Sequence, residues 1–112
     1  MNIQIFGTKK CFDTKKAERY FKERRINFQF IDLKEKALSK GELSSVKNSV
    51  GLENLINKSA KAYKKLNLDK IRSSEMREEI LLKNPSVYAT PIVRNGKQAT
   101  VGYKPEVWNE WE

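Results

Sequence analysis

The sequence predicts an α/β fold: a four-stranded mixed sheet flanked by helices. Three observations predict it. Residues 1–33 show a strand–helix–strand pattern, residues 91–101 show two strands joined by a tight turn, and residues 37–83 between them are predominantly helical. Because 112 residues are enough for one domain and about 45 residues seldom form a core of their own, we expect a single domain, 1–112, with a helical insert at 37–83.

The first unit predicts two parallel strands. Residues 2–6 alternate polar and apolar side chains and stop at Gly7, and residues 28–33 form a second apolar run. Between them, residues 12–25 carry a helical repeat whose inward positions are Ala17, Tyr20, Phe21 and Arg24. A right-handed crossover through this helix makes the two strands parallel.

The insert shows helix boundaries and no convincing strand. Ser39 followed by Glu42 is the pattern of a capping box, and Gly51 interrupts the helix that this box begins. A serine at 73–74 is the expected cap of another helix, which ends before the Asn-Pro pair at 84–85.

The C-terminal third predicts a hairpin and a closing helix. Residues 91–94 and 97–101 flank Asn95-Gly96, a pair that tolerates positive φ at both positions and favours a type I′ turn. Pro105 suits the first turn of a helix. From that helix we expect three side chains to turn inward as packing residues: Val107, Trp108 and Trp111.

Charge is unevenly distributed. The chain carries 23 basic and 14 acidic residues, a net +9, and residues 1–40 hold 11 of the basic residues against 5 acidic ones. Such a field suits a small anion, a thiol that carries a carboxylate, an acidic protein or nucleic acid. A lysine-rich solvated surface explains the same excess without any ligand.

The cysteine and histidine counts limit the kinds of site that the chain can form. One cysteine permits no internal disulfide, which fits a reducing cytoplasm, and the absence of histidine excludes a Cys–His pair and the usual metal sites. We therefore expect no bound metal or cofactor.

No apolar run approaches the ~20 residues of a membrane span, and Lys9 and Lys10 interrupt any N-terminal leader. The predictions are a cytoplasmic location and no membrane contact.

Cys11 lies where the first strand gives way to the first helix. Free amide N–H groups and the positive end of the helix dipole stabilise a thiolate there, and Lys10 adds positive charge. Thr14 can turn its hydroxyl toward the sulfur. The pKa of Cys11 should therefore fall below the free value of ~8.5, which predicts a reactive thiol rather than an inert one.

Thr90-Pro91 begins a predicted strand. A proline removes a ladder hydrogen bond, so it needs a sheet edge, a strand end or a special bond geometry. A cis bond is one such geometry, although only ~5% of X-Pro bonds adopt it. Composition leaves these alternatives open.

Taken together, these segments resemble the arsenate reductase (ArsC)/Spx family of the thioredoxin superfamily. The resemblance covers essentially the whole chain and rests on Gly7 to Thr14, on Thr90-Pro91-Ile92-Val93 and on Val101 to Pro105. It implies a thioredoxin-like fold in which Pro91 is cis and faces Cys11.

The arsenate reductase branch implies an oxidoreductase in which a thiolate attacks arsenate and glutathione resolves the adduct. That branch carries three arginines at positions that here hold Asn57, Thr90 and Lys104. The exchange weakens an oxyanion clamp, because a guanidinium grips an oxyanion bidentately and lysine does not. The cations that can partly substitute are Lys10, Lys58 and Arg94.

The Spx branch implies a transcription regulator that binds the C-terminal domain of the RNA polymerase α-subunit. Its members commonly use a Cys-x-x-Cys switch, but Thr14 stands at the second cysteine position here, so an internal disulfide cannot form. Gly51-Leu52 resembles a glycine needed at that interface, although a glycine between helices is more often a terminator.

Three hypotheses follow. In the first, Cys11 is the nucleophile of a monothiol oxidoreductase that acts on a small oxyanion or a disulfide. An external thiol such as glutathione is the cosubstrate, and glutaredoxin is a partner. Lys10 and Thr14 would stabilise the thiolate, Thr90 and Pro91 would align the partner, and an anion site would contain Asn57, Arg94 and Lys104.

The second hypothesis is the polymerase-binding regulator. The third is nucleic-acid binding, with stacking rings supplied by Tyr20, Phe21, Phe28 and Phe30. The helix and strand phases of these rings favour core positions instead, so we do not expect a nucleic-acid partner.

Overall fold

The computed structural model describes residues 1–111. These residues form four strands and five α-helices, with short 3₁₀ turns between some of them. In order, they are β1 (Ile3–Gly7), α1 (Phe12–Glu23), β2 (Phe28–Asp32), α2 (Lys40–Val50), α3 (Lys61–Lys65), α4 (Ser74–Lys83), β3 (Ile92–Asn95), β4 (Gln98–Val101) and α5 (Pro105–Trp108).

The strands form one mixed sheet in the order β2-β1-β3-β4. The β1–β2 pair is parallel, whereas β3 runs antiparallel to both β1 and β4. This arrangement confirms the predicted four-stranded mixed sheet, and the protein has a thioredoxin-like fold. No helix within residues 1–111 is both long enough and apolar enough to cross a membrane.

One face of the sheet is covered by α1 and α5. Ala17, Tyr20 and Phe21 are buried there, as the helical repeat predicts. The inward position predicted for Arg24 is wrong: this residue is exposed, and its guanidinium carbon lies 3.7 Å from the centre of the Tyr20 ring. A long cation keeps its hydration by lying over the ring instead of entering the core.

The insert covers the opposite face. Its buried apolar side chains pack against Phe6, Ile31 and Ile92 of the sheet, and so share that core instead of forming a separate one. Ser39 and Glu42 make the predicted capping box, and the Ser73 hydroxyl caps α4. The all-helical expectation needs one correction, because Ile56 forms an antiparallel bridge with Tyr88.

The hairpin turn lies one residue later than predicted. Asn95 pairs with Gln98, so Gly96 and Lys97 occupy the turn. Gly96 has φ +60°, and Lys97 is not among the residues with positive φ. Glycine at the first position only is the signature of a type II′ turn, so the predicted type I′ turn is wrong. Asn95 instead extends β3 and pairs with Ile3.

The closing helix buries one of its side chains completely. Trp108 is fully buried, and its indole N–H donates to Thr100 Oγ1 over 2.8 Å. Trp111 packs partly against the same cluster. The inward position predicted for Val107 is wrong, since this residue is 37% exposed. Consecutive helical residues point about 100° apart, so Val107 cannot share the direction of Trp108.

Candidate active site

Cys11 is the N-cap of α1 and lies just beyond the end of β1. Its backbone is extended, at φ −82° and ψ 120°, and its amide donates to the carbonyl of Thr8 over 3.2 Å. Its carbonyl accepts from the amide of Lys15 and so begins the helix. Cys11 is only partly buried. The strand–helix junction therefore presents the sulfur at the surface, above the open end of the helix.

The residue before the proline supplies a hydrogen bond to this sulfur. The Thr90 hydroxyl donates to Cys11 Sγ over 3.2 Å, and the Thr90 carbonyl lies 3.8 Å from the same sulfur. The Thr90–Pro91 peptide bond is cis, the geometry that the family resemblance implies. Residues almost eighty positions apart thus meet at one sulfur.

Thr14 lies beneath the sulfur and is completely buried. Within residues 1–111, its hydroxyl makes no hydrogen bond of ordinary geometry, but it lies close enough to the sulfur to lower the pKa of Cys11. A Cβ added at Gly7 would come within 2.4 Å of Thr14 Oγ1 and 2.6 Å of Cγ2. Glycine at position 7 therefore lets Thr14 lie under the sulfur.

Opposing effects set the pKa of Cys11. Partial burial raises it, but the hydroxyls of Thr14 and Thr90 and the amides of Thr14 and Asp13 lower it by more. The net pKa lies below the ordinary value of a cysteine thiol. A thiolate is the nucleophilic form of cysteine, so the lowered pKa makes this sulfur more reactive than an ordinary cysteine.

Backbone hydrogen bonds fix the proline loop in place. The Gly102 amide donates to the Pro91 carbonyl over 2.8 Å, and the Ala89 amide donates to the Leu55 carbonyl over 2.8 Å. The loop is thereby connected both to the start of the closing helix and to the insert. These contacts hold Thr90 at the sulfur from two sides.

Asn57 lies beside the approach to this loop. Its backbone amide donates to the Val87 carbonyl over 2.8 Å, and its side-chain oxygen accepts a hydrogen bond from the backbone amide of Ser59. Lys104 is exposed where α5 begins and lines an open groove of about 460 Å³ whose other lining residues include Val50 and Asn54. Among residues 1–111, neither side chain is hydrogen-bonded to Cys11, so their place in an anion site stays a prediction.

Arg94 is held at a different part of the sheet. It pairs with Gln4 in the register, and its guanidinium donates to Gln4 Oε1, Ser45 Oγ and the Gly96 carbonyl. These hydrogen bonds hold the Arg94 guanidinium between the sheet and α2. The expected role of Arg94 in an anion site beside Cys11 therefore gains no support from the structure.

Lys10 is exposed and makes no hydrogen bond or ion pair in the part of the chain that the structure describes. The groups that lower the pKa of Cys11 are hydroxyls and amides, not the lysine ammonium that the sequence suggested. Within residues 1–111, no three potential metal-binding side chains come together.

Comparisons with known proteins identify the family to which this chain belongs. A profile of the ArsC family matches residues 6–111. The chain belongs to the ArsC family. It is 27% identical to YusI of Bacillus subtilis, with 98% of each chain covered. It is also 25% identical to the global transcriptional regulator Spx of Streptococcus pyogenes, over 93% of this chain and 80% of that protein.

A solved ArsC-family structure gives the same shape. An arsenate reductase from Vibrio cholerae superposes with a TM-score of 0.87 at 24% identity, covering 98% of this chain and 97% of the other. At this identity, the likeness establishes the fold alone. The chemistry of this ArsC-family member must therefore be argued from its own residues.

Two features of the site were missed at the sequence level. Phe12, directly after Cys11, is 79% exposed, although its aromatic side chain is large. The Thr90 hydroxyl donates to the sulfur, whereas the sequence suggested only a backbone role. The signal for Thr90 was a hydroxyl residue directly before the proline. No signal distinguished Phe12 from a core residue.

Proposed function

We propose that this protein is a monothiol oxidoreductase of the arsenate-reductase-like type, with Cys11 as its nucleophile. One observation carries the proposal: a partly exposed sulfur at the start of α1 receives a hydrogen bond from the Thr90 hydroxyl and has a lowered pKa. Family membership supports the reaction class. Because the chain has no second cysteine, the second thiol must come from another molecule.

The chemistry is thiol–disulfide exchange. The Cys11 thiolate attacks one sulfur of a disulfide, forms a mixed disulfide and releases the other sulfur as a thiolate. A first low-molecular-weight thiol, such as glutathione, attacks Cys11 Sγ and releases the bound half as a thiol. A second glutathione attacks the new mixed disulfide and regenerates the Cys11 thiolate. The substrate gains two electrons, and two glutathiones become one glutathione disulfide.

The proposal assigns roles to the residues around the sulfur. Thr14 and Thr90 hold the thiolate through their hydroxyls, and the amides of the first helical turn add their dipoles. The backbone of the Thr90-Pro91 loop would align the chain that carries the substrate sulfur. Lys10, which precedes Cys11, would add only positive charge, since its ammonium makes no hydrogen bond to the sulfur and is not among the groups that lower the pKa of Cys11.

Arsenate is a weaker substrate candidate for this site. Asn57, Thr90 and Lys104 replace the three arginines of the family's oxyanion clamp. Thr90 uses its hydroxyl at the sulfur, and Asn57 uses its side-chain oxygen in a turn. Without a guanidinium fork, an oxyanion loses its bidentate partners. We therefore expect little or no arsenate turnover with glutathione and glutaredoxin.

The direct test is reduction of a disulfide. The wild-type protein should consume a glutathione-mixed disulfide in the presence of glutathione and glutathione reductase, and Cys11→Ser should abolish this activity. An arsenate assay with glutaredoxin would run beside it. A Cys11→Ser protein as active as wild type would overturn the proposal.

Similarity to Spx favours a second candidate, a regulator that binds the C-terminal domain of the RNA polymerase α-subunit. In that case binding would be a surface property, independent of the thiol. A pull-down with the isolated α-subunit domain, performed with wild type and Cys11→Ser, separates the two candidates. Equal binding by both proteins together with no disulfide reduction would favour the regulator.

A further inference from the structure

We infer that Cys11 acts on acidic proteins, which dock along the outer face of α1 on a strip that begins at Phe12. We define this docking strip by Phe12, Lys16, Arg19 and Tyr103. The inference rests on the proposed function and names its substrate class. Three observations carry it: an exposed aromatic ring beside the nucleophile, a groove that continues the same helix face, and unpaired positive charge around both.

Phe12 is the most exposed large apolar side chain of the described residues, at 79%. It is the first residue of α1 and directly follows Cys11, so its exposed ring lies at the same end of the helix as the reactive sulfur. An exposed phenylalanine is stabilised when a partner buries it, because apolar surface is removed from water. In this position, that stabilisation would be realised only by a molecule that also approaches Cys11.

The strip continues along one face of α1. Phe12, Lys16, Arg19 and Glu23 follow helical spacing, and the Lys16 ammonium lies 5.7 Å from the centre of the Tyr103 ring. Lys16, Arg19 and Tyr103 line an open groove of about 480 Å³ beside α1. Because Gly102 is bonded to Pro91, Tyr103 directly follows a residue attached to the proline loop. One wall of the groove is therefore a single residue away from a hydrogen bond to the proline loop, which connects the groove to the site.

Positive charge concentrates here. Residues 9–25 hold eight basic and three acidic residues, a net +5 within a chain of net +9. The ion pairs of the described residues all lie in the insert and involve Lys47, Lys58 and Arg77. Among residues 1–111, none of the eight cations near the strip has an acidic side chain within 4.0 Å. Their charge is available to an acidic partner.

The length of the strip favours a peptide over a small anion. Seven helical steps from Phe12 to Arg19 span about 10 Å. An extended peptide of about three residues covers that distance, whereas a small anion contacts only part of it. The occupant that matches the ring, the length and the charge is an acidic segment with an apolar side chain beside its own disulfide sulfur.

The experiment compares two disulfide peptides of equal length. Each carries one cysteine activated as a thiopyridyl disulfide, flanked by glutamates in one peptide and by lysines in the other. Cys11 displaces the pyridinethione, whose absorbance gives the rate. Dithiodipyridine, which is neutral, measures the intrinsic reactivity of the thiol. The variants are Phe12→Ala, the double variant Lys16→Glu/Arg19→Glu, and the matched control Lys97→Glu, which lies in the turn at the opposite end of β3.

Wild type should react with the acidic peptide at least about tenfold faster than with the basic one at low salt, and salt should reduce the ratio. Lys16→Glu/Arg19→Glu should remove the preference while leaving the dithiodipyridine rate within about twofold. Phe12→Ala should slow both peptides, and Lys97→Glu should keep the preference. A fast dithiodipyridine reaction without any peptide preference would overturn this inference alone. A slow dithiodipyridine reaction, like that of a free thiol, would overturn the proposed function.

Discussion

The hydroxyl of Thr90 donates a hydrogen bond to Cys11 Sγ over 3.2 Å, across 79 positions of the sequence. The first helix begins at one partner, and the other precedes the strand that enters the sheet beside β1. The sheet therefore joins the two halves of the site, and the pair needs no further element between them. Because a donated hydrogen bond stabilises negative charge on the sulfur, this contact favours the thiolate over the thiol.

Replacing Thr90 should therefore slow the chemistry. Thr90→Val preserves the shape of the side chain but removes the donor, and a hydrogen bond to a charged group contributes about 1.5 kcal/mol or more. We expect dithiodipyridine to react about tenfold more slowly with this variant at neutral pH. Thr90→Ser keeps a hydroxyl and is the matched control, with a rate near that of wild type. Equal rates for the valine and serine variants would contradict a role for this hydroxyl.

The contact between Gly7 and Thr14 gives a second prediction. Gly7→Ala would place a methyl group 2.4 Å from Thr14 Oγ1 at a buried position, so Thr14 or the strand must move. We expect a loss of about 2 kcal/mol in the free energy of unfolding, measured by urea denaturation, and a higher pKa of Cys11.

Gly41→Ala is the control for that substitution. Gly41 lies in α2, and a Cβ there meets nothing within 4 Å. Alanine favours a helix over glycine by about 1 kcal/mol, so this variant should be at least as stable as wild type, with an unchanged Cys11. If both variants behaved alike, the close approach of Gly7 to Thr14 would have no energetic consequence.

Arg77 holds the insert together. Its guanidinium donates to the carbonyls of Ile71 and Leu68 and pairs with Glu53, and only 14% of its side chain is exposed. Arg77→Met leaves two carbonyls without this donor and should lower the free energy of unfolding by about 2–3 kcal/mol. Thermal or urea denaturation measures it. The dithiodipyridine rate of the folded variant should match that of wild type.

Lys58 offers a matched comparison, since it pairs with the same carboxylate while 62% exposed. Exposed ion pairs contribute less than about 1 kcal/mol, so Lys58→Met should change stability little. A loss as large as that of Arg77→Met would show that the carboxylate pair, and not the carbonyl bonds, stabilises the insert.

The sheet and its main helices could be predicted because their signals are local. The alternation before Gly7, the Ser39–Glu42 box and the apolar face of α1 each lie within a few residues. The turn after Asn95 was placed one residue early, because pairing with Ile3 decided that register. Arg24 and Val107 were predicted to turn inward but are exposed, because the helical period alone does not say how much of the helix surface the sheet covers.

The site was only partly predictable for a related reason. Cys11 at a strand–helix junction is a local pattern, so its position could be foreseen. The donors to its sulfur depend on tertiary contacts, which is why Thr90 replaced the expected lysine as the main long-range stabiliser. Arg94 illustrates the opposite error. Its charge suggested an anion site, but its strand register places it beside Gln4 and α2.

The central claim is that the fold lowers the pKa of Cys11 and so favours its thiolate, and the pH dependence of its alkylation tests this most directly. Iodoacetamide reacts with the thiolate, so the rate of the folded protein rises with pH through the pKa of Cys11, and the urea-unfolded protein provides the reference. The lowered pKa predicts a midpoint for the folded protein below that of the unfolded chain. A folded midpoint at or above the unfolded one would contradict the account.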